Sequence, residues 1–175
     1  SSDVCSSDLE VEVAIMRQEA RPPSVGSVTV ETPHYLEQIV ATFSHQARSS
    51  SHVNQHSGVS VRLSISNLEV LCANALRRGL RAGETVVVPR VSDLVAMAAS
   101  SSGKIEIESL DDGRDGAILE SLVKASVLTV FKDLVPFEQV RDVVSAFEEG
   151  IVAHTGETVS SAELVSLLDR SEEHT

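Results

Sequence analysis

The residues with the clearest potential for chemistry lie at positions 58–62, which read Gly58, Val59, Ser60, Val61 and Arg62. A glycine and small residues lead into a long amphipathic pattern, so Arg62 is predicted in the first turn of a helix. A helix N-terminus carries partial positive charge, and an arginine beside it adds a full one. The spacing favours an anion site, although by pattern alone a plain surface arginine is the simpler interpretation.

The sequence contains no motif for nucleotide hydrolysis. A phosphate-binding loop needs a glycine-rich turn followed by lysine and then serine or threonine. The nearest match, Gly103 with Lys104, has Ala98 in place of the first glycine and Ile105 after the lysine, which predicts an ordinary turn. The acidic pair at 111–112 lacks a preceding apolar strand and a following glutamate, so it is interpreted as a loop at a helix start.

Four histidines raise the question of a metal site: His34, His45, His52 and His56. The last two have the i, i+4 spacing that metal ligands use on a helix. Asn54 and Gly58 predict a loop here instead, and no carboxylate lies at a useful offset. These histidines are therefore interpreted as solvated or capping residues, and no metal site is predicted.

The elements that must position these residues are predicted to be mainly α-helical, with at most one or two short strands. Apolar residues recur at helical spacing, and proline or glycine ends most of the runs. The pattern predicts that three arginines of the long helix lie off its apolar face: Arg77, Arg78 and Arg81. It also predicts that Cys72 lies within the core. Helices are predicted at 10–20, 33–49, 59–82, 91–99, 117–134, 137–149 and 160–168, the last opened by a capping box of Ser160 and Glu163. Short extended segments are predicted at 86–88 and 104–108, and a linker at 22–32.

Composition limits the classes of partner. The 175 residues carry a formal charge of −12 with a pI near 4.8, which disfavours nucleic acid as a direct partner. No apolar run reaches membrane-spanning length and no secretory leader is recognisable, so we expect a cytoplasmic protein that does not contact membranes. Two cysteines, Cys5 and Cys72, cannot form a framework of several disulfides.

Both ends of the sequence resemble translated sequencing-library adapter. The string VCSSDL lies at positions 4–9 and the string RSEEHT at positions 170–175. We therefore expect 1–9 and 170–175 to be foreign to the protein, and the remainder to be an interior piece of a longer chain.

Three strings between these ends resemble the C-terminal part of magnesium-chelatase-like and MoxR-like AAA+ ATPases. They are HVNQHSGVSVR at 52–62, ALRR at 75–78 and PRVSDL at 89–94. The string AIMRQEA at 14–20 resembles the helix that follows the sensor-1 region of those proteins, and a looser similarity extends to Gly150. The resemblance implies the end of an AAA+ core domain and linker at 10–32, a helical lid at 33–103 and a helical extension at 104–169.

The resemblance also implies a role for Arg62. In these families a motif of the type Gly-Ala-Ser-Pro-Arg opens a lid helix, and its sensor-2 arginine contacts the terminal phosphates of the nucleotide. Gly58, Ser60 and Arg62 match that motif, while Val59 and Val61 replace its alanine and proline. Gly58, Ser60 and Arg62 are thus expected to bind ATP, with Arg62 in the catalytic role.

The implied parent protein is a ring-forming ATPase that remodels a partner protein. Its Mg²⁺ would be held by an upstream domain, and because the Walker A and Walker B motifs are lacking here, this chain alone is expected to be inactive. The alternative is a non-enzymatic helical module for protein interaction or oligomerisation, which the apolar stripes and acidic faces would also fit.

Overall fold

The computed structural model describes residues 6–54, 59–107, 114–150, 152, 156 and 158–163. A mainly α-helical fold is confirmed. The elements in chain order are α1 (Ser6–Glu19), β1 (Thr29–Val30), α2 (His34–Ser49), α3 (Val61–Ala82), β2 (Val86–Val87), a 3₁₀ turn (Val91–Leu94), α4 (Val95–Ser101), α5 (Asp115–Leu134) and α6 (Phe137–Glu148).

Local sequence explains where the two central helices begin and end. Pro33 occupies the N-cap position of α2, where its fixed backbone angle suits a chain about to turn helical. Ser60 caps α3 by accepting a hydrogen bond from the backbone N–H of Arg62. Gly83 ends α3 in the left-handed conformation, at a φ of 70°, which glycine adopts without steric cost.

The largest differences from the predicted helix boundaries are in α1 and α4. Helix α1 begins at Ser6, within the string interpreted as adapter, and Leu9 of that string packs against the core. The predicted helix at 91–99 is a 3₁₀ turn followed by α4, which continues to Ser101. The side chain of Asp93 accepts a hydrogen bond from the Arg90 N–H at 2.8 Å, which satisfies a backbone donor at this start.

A parallel two-stranded sheet joins distant parts of the chain. Thr29 pairs with Val86 and Val30 with Val87. The extended segment predicted at 86–88 is thus confirmed as β2, but the predicted linker at 22–32 contains its partner strand. Nothing local marks β1, because a two-residue strand is stabilised by its distant partner rather than by its own pattern.

The strand predicted from Lys104 to Glu108 is wrong over its described part. Gly103 and Lys104 form a turn, as predicted, and the following residues make only isolated bridges, between Ser102 and Ile105 and between Val53 and Ile107. Ile105 is buried in the helical core. The apolar alternation therefore reflects packing of single side chains onto helices rather than a sheet.

One hydrophobic core joins α1 to α5. Its largest fully buried side chains include Met16 of α1, Phe43 of α2 and Leu71 of α3. Leu119 and Val130 of α5 belong to the same core. Cys72 is fully buried, which confirms its prediction as a core residue. The region that carries Arg62 therefore rests on a packed helical scaffold.

Arg78 contradicts its prediction as a residue off the apolar face. Its side chain is buried, with Nη2 lying 3.1 Å from Asp93 Oδ2 and 2.7 Å from the Val88 carbonyl oxygen. Its Nη1 lies 3.5 Å from Glu84 Oε2. A buried guanidinium is tolerated only where acceptors surround it, and the residue after β2 together with the 3₁₀ turn supplies them.

Helix α6 carries exposed apolar residues. Val143, Val144 and Phe147 are each about half exposed.

Within the described part of the chain, no helix is both long and apolar enough to span a membrane.

Candidate functional site

The start of α3 presents Arg62 to solvent. The Arg62 N–H donates to Ser60 Oγ at 3.2 Å, and the Leu63 N–H donates to the Ser60 carbonyl oxygen at 3.0 Å. Leu63 is buried in the core, whereas Arg62 is exposed. Arg62 therefore stands in the first turn of α3 with its side chain exposed, as the spacing predicts.

A cleft of about 250 Å³ lies beside Arg62. Its lining combines two cations, two hydroxyls and two apolar residues: Arg62, Lys104, Ser60, Ser66, Val59 and Leu63. The Nζ of Lys104 donates to Ser66 Oγ at 2.6 Å and to Ser100 Oγ at 2.9 Å. The hydroxyl groups of Ser66 and Ser100 therefore hold the ammonium group at the cleft.

The electrostatics of the cleft suit an anion. Arg62, Lys104 and the N-terminal end of α3 place positive charge together on a chain whose formal charge is −12. Among the described residues, neither cation forms an ion pair with a carboxylate. A phosphate oxygen could accept hydrogen bonds from a guanidinium and an ammonium at once, and such charge-assisted bonds are stronger than neutral ones.

Only part of this cleft was predictable from the sequence. Ser60 and Arg62 lie together as expected, and Gly58, the third predicted residue, lies outside the described residues. Lys104 was interpreted only as part of a turn. It reaches the cleft because the turn after α4 packs beside the start of α3, a tertiary contact that no local spacing indicates.

A buried carboxylate lies behind the cleft. Glu12 of α1 is 6% exposed and accepts hydrogen bonds from Arg48 Nη1 at 2.7 Å and Nη2 at 3.0 Å. Ser64 Oγ of α3 also donates to Glu12 and lies 2.6 Å from Ser44 Oγ. The Nε2 of His45 lies 2.9 Å from Glu12 Oε2, at ion-pair distance but without hydrogen-bond geometry.

These neighbours decide the charge of Glu12. Burial is the largest single influence and opposes ionisation. The hydrogen bonds from Arg48 and Ser64, together with the charges of Arg48 and His45, outweigh it and hold the pKa of Glu12 below its ordinary value. Glu12 is therefore an ionised carboxylate inside the protein, and sequence reasoning missed it because its partners lie 33 to 52 residues away along the chain.

The histidines do not share one environment. His52 lies exposed in a turn, as predicted, whereas His45 is mostly buried against Glu12, so its prediction as solvated or capping is wrong. His56 and the acidic pair at 111–112 lie outside the described residues. Among the residues that the structure describes, no group of three or more His, Cys, Asp or Glu side chains is arranged to hold a metal ion.

The chain matches no protein-family model, no curated protein and no solved structure. Its function must therefore be inferred from the chemistry of its own residues and from the resemblance carried by its motifs.

Proposed function

We propose that this chain is the lid side of a magnesium-chelatase-like AAA+ ATPase and that Arg62 binds the terminal phosphates of ATP. The observation that carries the proposal is the pair of cations, Arg62 and Lys104, that line one cleft at the N-terminus of α3. This cleft coincides with the string that resembles a sensor-2 motif. The helical fold that positions it supports the same proposal.

The two cations would contact the phosphates in different ways. The planar guanidinium of Arg62 can hold two phosphate oxygens at once, and it stays charged at every physiological pH. The ammonium of Lys104 acts as a point charge, held at the cleft by Ser66 and Ser100. Bound ATP would supply the phosphoryl group, with its Mg²⁺ held by a domain outside this chain.

Nucleotide binding would then bias the orientation of the lid. Arg62 is attached to α3, the longest of the described helices, whose other end contacts β2 and the 3₁₀ turn. Contacts made to the terminal phosphate and lost after hydrolysis would favour two orientations of the lid as a rigid body. In a cytoplasmic ring of identical subunits, that motion would remodel a partner protein.

The test is the Arg62→Ala variant of the ATPase encoded by the whole gene. We expect its turnover number to fall by about 100-fold, as when one donor to a developing negative charge is removed, with an unchanged circular dichroism spectrum. Arg77→Ala is the matched control, because Arg77 is exposed on the same helix and, among the described residues, its side chain bonds to Asn74 of that helix. Equal turnover of the two variants would refute the sensor role, and a gene without a P-loop would refute the ATPase.

A second candidate function, self-association, is favoured by an apolar groove. The groove measures about 510 Å³ and lies between the 3₁₀ turn, α4 and α5, and its most exposed apolar residues are Val91, Val95, Leu128 and Phe131. We propose a second copy of this chain as its occupant, because α6 carries an apolar face on which Val143, Val144 and Phe147 are about half exposed. The groove includes Glu120 and Lys124, while Arg141 and Glu148 flank the apolar stripe of α6, so each surface carries both signs of charge.

Oligomeric state tests this candidate. The wild-type chain is expected to sediment as an oligomer, and Phe131→Glu is expected to sediment as a monomer, because a buried unpaired carboxylate opposes association. Ala125→Glu is the control, since Ala125 is exposed on α5 outside the groove. A wild-type chain that remains monomeric at high concentration would exclude the second copy, and so would oligomers of Phe131→Glu.

A further inference from the structure

Arg48 joins α1 to the loop that precedes Arg62. Two nitrogens of its guanidinium donate to the Glu12 carboxylate, and the third, Nε, donates to the Val59 carbonyl oxygen at 2.7 Å. Val59 lines the cleft and precedes the N-cap residue Ser60. One rigid, planar group therefore connects a carboxylate on α1 to the backbone at the start of α3.

Glu12 is held by both helices that border this loop. Arg48 and His45 reach it from α2, and Ser64 reaches it from α3. A buried carboxylate cannot shift away from its donors without leaving charges unpaired in the protein interior, which is strongly unfavourable. A displacement of α1 against α2 must therefore move the Val59 carbonyl group or break one of these bonds.

We infer that Glu12 and Arg48 act as a positioning pair, which sets the geometry of the Arg62 cleft and couples that cleft to movements of α1. The inference rests on the proposed anion-binding function of the cleft and adds its regulation. Neither residue touches the anion. Their effect passes through the Val59 carbonyl group, which places Ser60 and the first turn of α3.

The chain offers a matched control between the same two helices. Arg17 of α1 donates to Glu37 of α2 through Nε, at 3.0 Å to Oε1 and 2.8 Å to Oε2. Glu37 and Glu12 have equally buried side chains, each 7% exposed. The Arg17 pair makes no contact with Val59 among the described residues, so it links α1 to α2 without touching the cleft.

The experiment titrates the full 175-residue chain with inorganic tripolyphosphate at low salt and follows the NMR signals of Arg62. Wild type is expected to bind with shifts centred on Arg62. Glu12→Gln and Arg48→Lys are expected to weaken the affinity about three- to thirtyfold. Arg17→Lys and Glu37→Gln are expected to change it by less than about twofold, since separated sites act independently.

Hydrogen exchange of the Arg62 amide supplies a second measurement that needs no ligand. This amide donates to Ser60 Oγ, so Arg48→Lys should speed its exchange while Arg17→Lys leaves it unchanged. All variants are compared under conditions in which circular dichroism shows them folded, so that a loss of global stability does not alter the affinity.

The outcomes separate this inference from the function on which it rests. If wild type binds tripolyphosphate at Arg62 and the Glu12 and Arg48 variants bind as tightly, the positioning pair is refuted and the anion site stands. If wild type does not bind, the anion site is refuted, and the exchange rate of Arg62 alone decides whether the pair positions this turn. Equal exchange in Arg48→Lys and Arg17→Lys would then refute the positioning role.

Discussion

At the residue scale, Glu12 shows how a charge is kept inside a helical protein. A buried carboxylate is costly unless donors replace the water that it loses. Glu12 receives donors from Arg48 and Ser64, and the cationic side chain of Arg48 balances its charge. The arrangement links three helices at one point and therefore ties their relative positions to the ionisation of one group.

This ionisation predicts an acid-dependent loss of stability. The pKa of folded Glu12 lies below its ordinary value of 4.5, so ionised Glu12 stabilises the fold above about pH 4.5. That contribution is lost as the pH falls through the lowered pKa. Glu12→Gln should reduce the free energy of unfolding at pH 7 by about 1–3 kcal/mol. Urea denaturation should show this difference shrinking as the pH falls below about 4.

Glu163 provides the comparison for this pH dependence. Hydrogen bonds from the backbone and side chain of Ser160 lower the pKa of Glu163 as well, but this carboxylate is fully exposed in a capping box. Glu163→Gln should therefore leave the unfolding curve nearly unchanged at both pH values. A Glu12 variant that behaves like the Glu163 variant would show that the buried network does not depend on the charge of Glu12.

At the element scale, Gly79 allows α3 to approach β2. A Cβ atom at this position would lie 2.2 Å from Cγ2 and 3.0 Å from Cγ1 of Val87, a fully buried residue. The glycine lies inside a helix, where it is intrinsically unfavourable by about 1 kcal/mol relative to alanine. Glycine is nevertheless suited to this position, because α3 packs closely on the small sheet and a larger residue would collide with Val87.

Gly79→Ala should therefore destabilise the protein despite its higher helix propensity. Overpacking typically costs about 1–3 kcal/mol, which exceeds the gain in propensity. We expect a net loss of up to about 2 kcal/mol in the free energy of unfolding, measured by chemical denaturation. A second substitution, Val87→Ala, should recover part of the loss caused by the added methyl group, because it removes the contacting atoms.

Gly116→Ala in α5 is the matched control. A Cβ atom there would meet nothing within 4 Å, so the same substitution should raise stability by up to about 1 kcal/mol. If both alanine variants gained stability, the close approach of α3 to Val87 would not constrain the fold.

At the scale of the whole molecule, one core supports two different surfaces. Leu119 and Val130 of α5 complete the core that α1 to α4 begin. Between α5 and α2, Ser126 Oγ donates a partly buried hydrogen bond to Gln46 Oε1 at 3.0 Å. The basic cleft at Arg62 and the apolar groove on α5 are both built on this scaffold, and they correspond to the two candidate functions.

The sequence by itself determined the helices and the position of Arg62. Apolar periodicity, the proline at the start of α2 and Gly83 at the end of α3 act within a few residues, so they can be recognised from short windows. The capping box of Ser160 and Glu163 was predicted in the same way and is confirmed. The predicted continuation of that helix to Leu168 lies outside the described residues.

The tertiary structure alone decided which distant residues meet. The pairing of β1 with β2, the burial of Arg78 beside Asp93, and the arrival of Lys104 beside Arg62 follow from how the helices pack. Local periodicity places a side chain on a face of its own helix but does not specify the partner across the interface. A buried charge is stabilised by that partner, and for this reason the sequence indicated Arg62 while only the fold revealed Lys104, Glu12 and Arg48 around it.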